Sequence, residues 1–109
     1  FSESIPEGVT NIQFTNEIAP EEAETIDVSA AQDKGVVAWL DGTTWKVSTQ
    51  RKGVQIVANK NSNRMFENVV SLTSIDGLEN IDFTSTIYAE YMFSGCTNLS
   101  SIPLEEMDL

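Results

Sequence analysis

The chain has no histidine, a single cysteine (Cys96), three prolines and only six bases among its 109 residues. Without histidine there is no Ser-His-Asp or Cys-His nucleophile and no imidazole metal site. One cysteine allows neither a thiolate zinc cluster nor an internal disulfide. Six bases against seventeen acids leave a net charge of -11. That is the wrong sign for a nucleic-acid partner, which is held by lysine and arginine displacing its counter-ions. No apolar run approaches bilayer-spanning length, so membrane insertion of this segment is not expected. There is no glycine-rich phosphate loop, and no acid pair stands out as catalytic. The expectation is a protein that is not an enzyme and holds no cofactor and no metal.

A length of 109 residues with 40% apolar composition fits one small globular domain, residues 1–109. The chain opens on Phe1 without a basic n-region or apolar h-region, so a trimmed or processed chain is expected. Charge falls in three blocks. Residues 1–33 carry eight acids and no base, and residues 65–109 again carry eight acids and no base. Residues 34–64 hold all six bases (Lys34, Lys46, Arg51, Lys52, Lys60, Arg64) and one acid, Asp41. The simplest consequence is a basic middle packed between acidic ends, which lowers self-repulsion.

The pattern divides the chain into an acidic N-terminal segment (1–35), a β-meander (36–64) and a repeat region (65–109). In the first, Asn11–Thr15 alternates as a strand, Pro20–Glu24 suits a helical turn with acids at its positive end, and residues 1–10 read as a loose arm. In the second, Val36–Leu40 runs into Asp41-Gly42, a tight-turn pair, and Thr44–Thr49 then alternates with Trp45 and Val47 on one face. After a turn at Gln50–Gly53, Val54–Ala58 resumes the strand pattern, which predicts three antiparallel strands. Asn59–Asn63 breaks the pattern.

Met65–Ile75 aligns without gaps on Met92–Ile102, and Met, Phe, Leu, Ser and Ile recur at a spacing of 27 residues. Such a period predicts stacked coils, each burying its Met-Phe pair and its Leu and Ile against the neighbour, with the meander as the cap at one end. The end after Leu104 is then open, or guarded by Glu105, Glu106 and Asp108. The expected fold class is α+β: an N-terminal antiparallel β-meander capping two short leucine-rich-repeat-like coils.

The unit Met92-Phe93-Ser94-Gly95-Cys96-Thr97-Asn98-Leu99-Ser100-Ser101-Ile102 follows a lead-in, Trp39-Leu40-Asp41-Gly42-Thr43-Thr44, and an asparagine-rich link, Asn59–Asn63. Together these resemble the BspA-like leucine-rich repeat proteins of bacterial cell surfaces, over about residues 36–104. The first unit departs from the pattern, with Asn68-Val69 in place of Gly95-Cys96 and a Gly77-containing insertion after Ile75. The resemblance implies an exported, non-enzymatic adhesive or protein-binding module, outside the cell or at its surface, and transfers no catalytic residue.

The protein-contact surface is expected on the exposed flank at Thr73, Ser74, Ser100 and Ser101. Asp76, Glu79, Asp82 and Asn80 match no EF-hand spacing and are expected in a solvated turn rather than around calcium. Cys96 is expected as a small filler in the slot that Val69 holds in the other unit. Trp45 is expected in the core and not in a sugar-stacking platform with Trp39. Asn98-Leu99-Ser100 spells a glycosylation acceptor, but in a bacterial chain Asn98 is expected to bond turn backbone. Two rival functions share the composition: an acidic decoy that blocks a basic, nucleic-acid-binding protein, and a structural spacer within a longer surface chain.

Overall fold

In the computed structural model, residues 4–28, 35–58, 65–83 and 93–99 are described. Seven strands form among the described residues: β1 (Asn11–Thr15), β2 (Ile26–Asp27), β3 (Val37–Asp41), β4 (Thr44–Ser48), β5 (Ile56–Val57), β6 (Ser74–Asp76) and β7 (Ile81–Asp82). β1 sits inside a five-stranded sheet of order β2-β3-β4-β1-β6, and β5 and β7 form a separate parallel pair. The reason lies in the alternation of Asn11–Thr15. Ile12 and Phe14 are fully buried while Asn11, Gln13 and Thr15 are not. A strand with two such anchors gains from neighbours on both edges, and β1 pairs in parallel with β4 on one side and β6 on the other.

Two in-register rows make the core face of the sheet. One runs Trp45, Ile12, Ile75 and ends on the exposed Leu40, and the other runs Ala38, Val47, Phe14 and ends on the exposed Ile26. Against it pack Phe66, Leu72, Leu78, Ile81 and Phe83, all nearly inaccessible to solvent. Trp45 lies in this core as expected, and Ile5, Val9 and Thr10 are tied to the body, so residues 4–10 are not a loose arm.

The expected fold class is corrected by this topology. The described residues contain no α-helix, and helical geometry is confined to short 3-10 turns such as Leu78–Asn80. The chain is therefore not α+β, and it is a mixed sheet rather than leucine-rich-repeat coils under a meander. The β3–β4 hairpin forms, turning through Gly42 and Thr43. The third strand of the expected meander does not join it. Gln50 adopts a left-handed φ of 58°, and the Thr49 hydroxyl bonds the Arg51 and Val54 carbonyls, so the chain turns away from the sheet. Ile56–Val57 then pairs with Ile81–Asp82, and β1 takes the free edge of β4. Pro20–Ala23 makes one turn, through Ala23 N–H to the Pro20 carbonyl, and no helix.

The 27-residue correspondence survives as local geometry. Asn68 and Gly95 both have left-handed φ, 62° and 79°. Leu72 N–H bonds the Val69 carbonyl as Leu99 N–H bonds that of Cys96, at 3.1 and 3.2 Å. The Phe66 and Phe93 rings stack 5.3 Å apart at 11°, and Phe14 meets Phe66 edge-on at 6.0 Å. What differs is the setting: the strand of the first unit pairs with β1, 63 residues earlier, and so belongs to the sheet. Met92, Ile102, the Asn59–Asn63 break and the segment after Leu104 lie outside the described residues.

Gly77 has φ 79°, and a Cβ there would overlap the Phe14 carbonyl oxygen. Gly77→Ala is expected to cost about 1–3 kcal/mol from backbone strain alone, read as a lower urea midpoint. Gly53→Ala, with the same φ of 79° but open space around it, should lose only this strain and so less than Gly77→Ala, where the overlap adds to it. Phe66→Ala, at a fully buried ring between two others, should cost about 3–5 kcal/mol. The half-buried Phe93 should cost less when truncated in the same titration.

Candidate protein-interaction face

The alternation that buries Ile12 and Phe14 puts Asn11 and Gln13 on the opposite side of the sheet. Register extends this to four strands. Asp41, Thr44, Asn11 and Ser74 stand in one row, and Trp39, Lys46, Gln13 and Asp76 in the next. The result is a face that is polar across β4, β1 and β6 and at Asp41 of β3, with Trp39 buried at its β3 side.

Its side chains are held in place. The Asn11 amide nitrogen donates to Ser74 Oγ at 2.6 Å, to Asp76 Oδ2 at 3.0 Å and to the Ser74 carbonyl at 3.3 Å. Lys46 Nζ lies 3.1 Å from Glu17 Oε2 and 3.6 Å from Asp41 Oδ2. The hydrogen bond to Glu17 raises the Lys46 pKa above its ordinary value; partial burial opposes this, and the charges of Glu17 and Asp41 add to it. A base of the middle block thus contacts an acid of the first block, as the charge segregation suggested. The Ser48 hydroxyl donates to the Glu17 carbonyl at 2.6 Å, and Gln50 Oε1 accepts from Ala19 N–H at 3.1 Å, which fixes the segment carrying Glu17.

Two expected contact residues lie at the β6 end of this face. Ser74 is exposed in the first row; Thr73, just before β6, is exposed and donates its hydroxyl to the Thr10 carbonyl at 2.9 Å. Ser100 and Ser101 lie outside the described residues. Asn11, Gln13, Asp41, Lys46 and Asp76 were not singled out by the sequence as contact residues. For Asn11, Gln13 and Lys46 the signal was the period-2 polarity of Asn11–Thr15 and Thr44–Ser48, which names a solvent face only once the two strands are known to be neighbours.

The other candidates fall out structurally. Asp76, Glu79 and Asp82 do not converge, Asn80 donates its amide to the Phe14 carbonyl at 2.9 Å, and no group of three or more metal-binding side chains occurs among the described residues. Trp39 and Trp45 are both buried, at 4% and 1% exposure, and offer no stacking platform. Cys96 is half-buried and donates its thiol to the Phe66 carbonyl at 2.9 Å. Burial pushes its pKa up, against a hydrogen bond from the Val69 backbone, so it is a poor nucleophile at neutral pH. The Asn98 amide donates to the Val70 carbonyl at 2.6 Å, bonding turn backbone as expected. No helix among the described residues is long and apolar enough to cross a membrane. The chain matches no protein-family model, no curated protein and no solved structure.

The raised Lys46 pKa makes its contribution to stability complete below the ordinary lysine pKa of 10.5 and lost as pH climbs through the folded value. Lys46→Met should therefore be less stable than the parent at pH 7 by up to about 1 kcal/mol, as expected for an exposed pair. The gap should close as pH passes above the lysine range, read by chemical denaturation at each pH. A gap that persists unchanged in alkali would assign the loss to packing of the stem.

Proposed function

We propose that the protein is a non-enzymatic protein-binding module of an exported bacterial surface protein, and that it attaches through the polar face of β3, β4, β1 and β6. The observation that carries this reading is the Asn11 amide, which bonds Ser74 and Asp76 at once and so fixes exposed polar groups on two strands. Polar side chains locked before binding lose little rotamer freedom on contact, which favours recognition by a flat surface. Asp41, Glu17 and Asp76 outnumber Lys46 here, so the face favours a partner with a complementary excess of bases. The bacterial and extracellular setting rests on the likeness of Met92–Ile102 to the BspA-like repeat unit. Surface contact, without chemistry, is the role that likeness implies.

The test is attachment of the fluorescently labelled protein to cultured epithelial cells and to bacterial cells over a concentration series. Saturable attachment is expected, and Gln13→Arg combined with Ser74→Arg should weaken it by at least about fivefold, as steric and charge disruption at the centre of an interface does. Attachment that does not saturate, or that the double variant leaves unchanged, contradicts the proposal.

A further inference from the structure

The chain contains two Asp-Gly pairs, Asp41-Gly42 and Asp76-Gly77, and the fold holds them differently. An aspartate followed by glycine can rearrange its own backbone, because glycine has no side chain to shield its nitrogen. The glycine nitrogen attacks the aspartate γ-carbon, water is expelled, and a five-membered succinimide closes. Water then adds at the former α-carbonyl and breaks its bond to the ring nitrogen. The product is isoaspartate, with the main chain running through the β-carbon. One water leaves and one returns, so the chain isomerises without any other reactant. The fold controls the rate, because the carboxyl group must swing and the following peptide must turn toward it.

Asp41 and Gly42 stand exposed at the tip of the β3–β4 hairpin. The Asp41 side chain is 68% exposed, and its ion pair with Lys46 is the looser of two, at 3.6 Å against 3.1 Å for Glu17. Nothing lies within 4 Å of where a Cβ on Gly42 would stand, and no hydrogen bond holds the Gly42 N–H among the described residues. Opening this site disturbs one end rung of the hairpin, Asp41 with Thr44. Asp76-Gly77 is held on every side. The Asn11 amide donates to Asp76 Oδ2 at 3.0 Å, and Asn80 N–H donates to the Gly77 carbonyl at 2.9 Å. The Phe14 carbonyl sits so close that a Cβ on Gly77 would overlap it. We infer that Asp41 is a site of spontaneous isoaspartate formation and that the fold protects Asp76 from the same reaction. Isomerisation adds a carbon to the backbone at the turn and shortens the stem of the carboxylate, which takes it from Lys46. It therefore alters the β3 end of the polar face, where Asp41 begins the row that continues through Thr44, Asn11 and Ser74.

The experiment incubates the full chain at physiological temperature and follows both sites by peptide mapping, with isoaspartate located by electron-transfer fragmentation. A parallel sample is kept unfolded in concentrated urea. In the folded chain isoaspartate should accumulate at residue 41 at least about fivefold faster than at residue 76, as a modest difference in barrier gives. In urea the two rates should converge, since both pairs are then equally free. Asp41→Glu, which keeps the charge and would need a less favourable six-membered ring, should abolish the signal at position 41 and leave residue 76 unchanged. Equal rates in the folded chain overturn the inference, and so does faster reaction at Asp76. A difference that persists unchanged in urea assigns it to local sequence and overturns protection by the fold. Absence of isoaspartate at residue 41 in the folded chain, over the time in which the unfolded chain reacts, overturns the site itself. None of these outcomes depends on whether the protein attaches to cells.

Discussion

The five-stranded sheet of this molecule is arranged around the parallel pairing of β1 with strands on both of its edges. Ile12 and Phe14 are each almost wholly excluded from water, and each continues a row of buried side chains onto β4, with Ile12 reaching Ile75 on β6 as well. Burial of such side chains is worth about 1.5–3 kcal/mol each, against which five residues of strand must be ordered. The pairing joins residues 33 positions apart on the β4 side and 63 apart on the β6 side. The cost of closing such loops grows only slowly with their length, so a short strand with two strong anchors can organise a distant one.

The polar face follows from the same pairing. Alternation along β1 gives the sheet a polar side that belongs to no single stretch of sequence. Asn11 is fixed by Ser74 and Asp76, and Lys46 by Glu17 and Asp41. The two Asp-Gly pairs differ for the same reason, since Asp76-Gly77 is held against β1 and Asp41-Gly42 is not. The charge blocks fit this arrangement, since the described member of the basic block that reaches the face, Lys46, is already held between acids, leaving carboxylates in excess around it.

Local features were legible in the sequence, and long-range pairing was not. The strand at Asn11–Thr15, the hairpin through Gly42, the burial of Trp45 and the matching turns at Phe66 and Phe93 all depend on residues within a few positions of each other. The repeat also signalled true equivalences, such as the left-handed Asn68 and Gly95. What the pattern could not say is which strand lies beside which. Val54–Ala58 carries the alternation of a third meander strand, yet the hydroxyls of Ser48 and Thr49 and the left-handed Gln50 redirect the chain. Polar residues that cap a turn look in sequence like residues that merely interrupt a strand. The polar face was half legible for the same reason: the repeat places Thr73 and Ser74 on an exposed flank, whereas Asn11, Gln13 and Asp76 become one surface only through register.

The most direct measurement is a set of interstrand nuclear Overhauser contacts in solution from the backbone and side chain of Ile12. Contacts from Ile12 to both Trp45 and Ile75, together with slow exchange of the Thr73 amide bonded to the Thr10 carbonyl, are the predicted result. Contacts that instead place Val54–Val57 beside Trp45 and Val47, with Ile12 touching neither strand, would contradict the central position of β1 and with it the polar face built upon it.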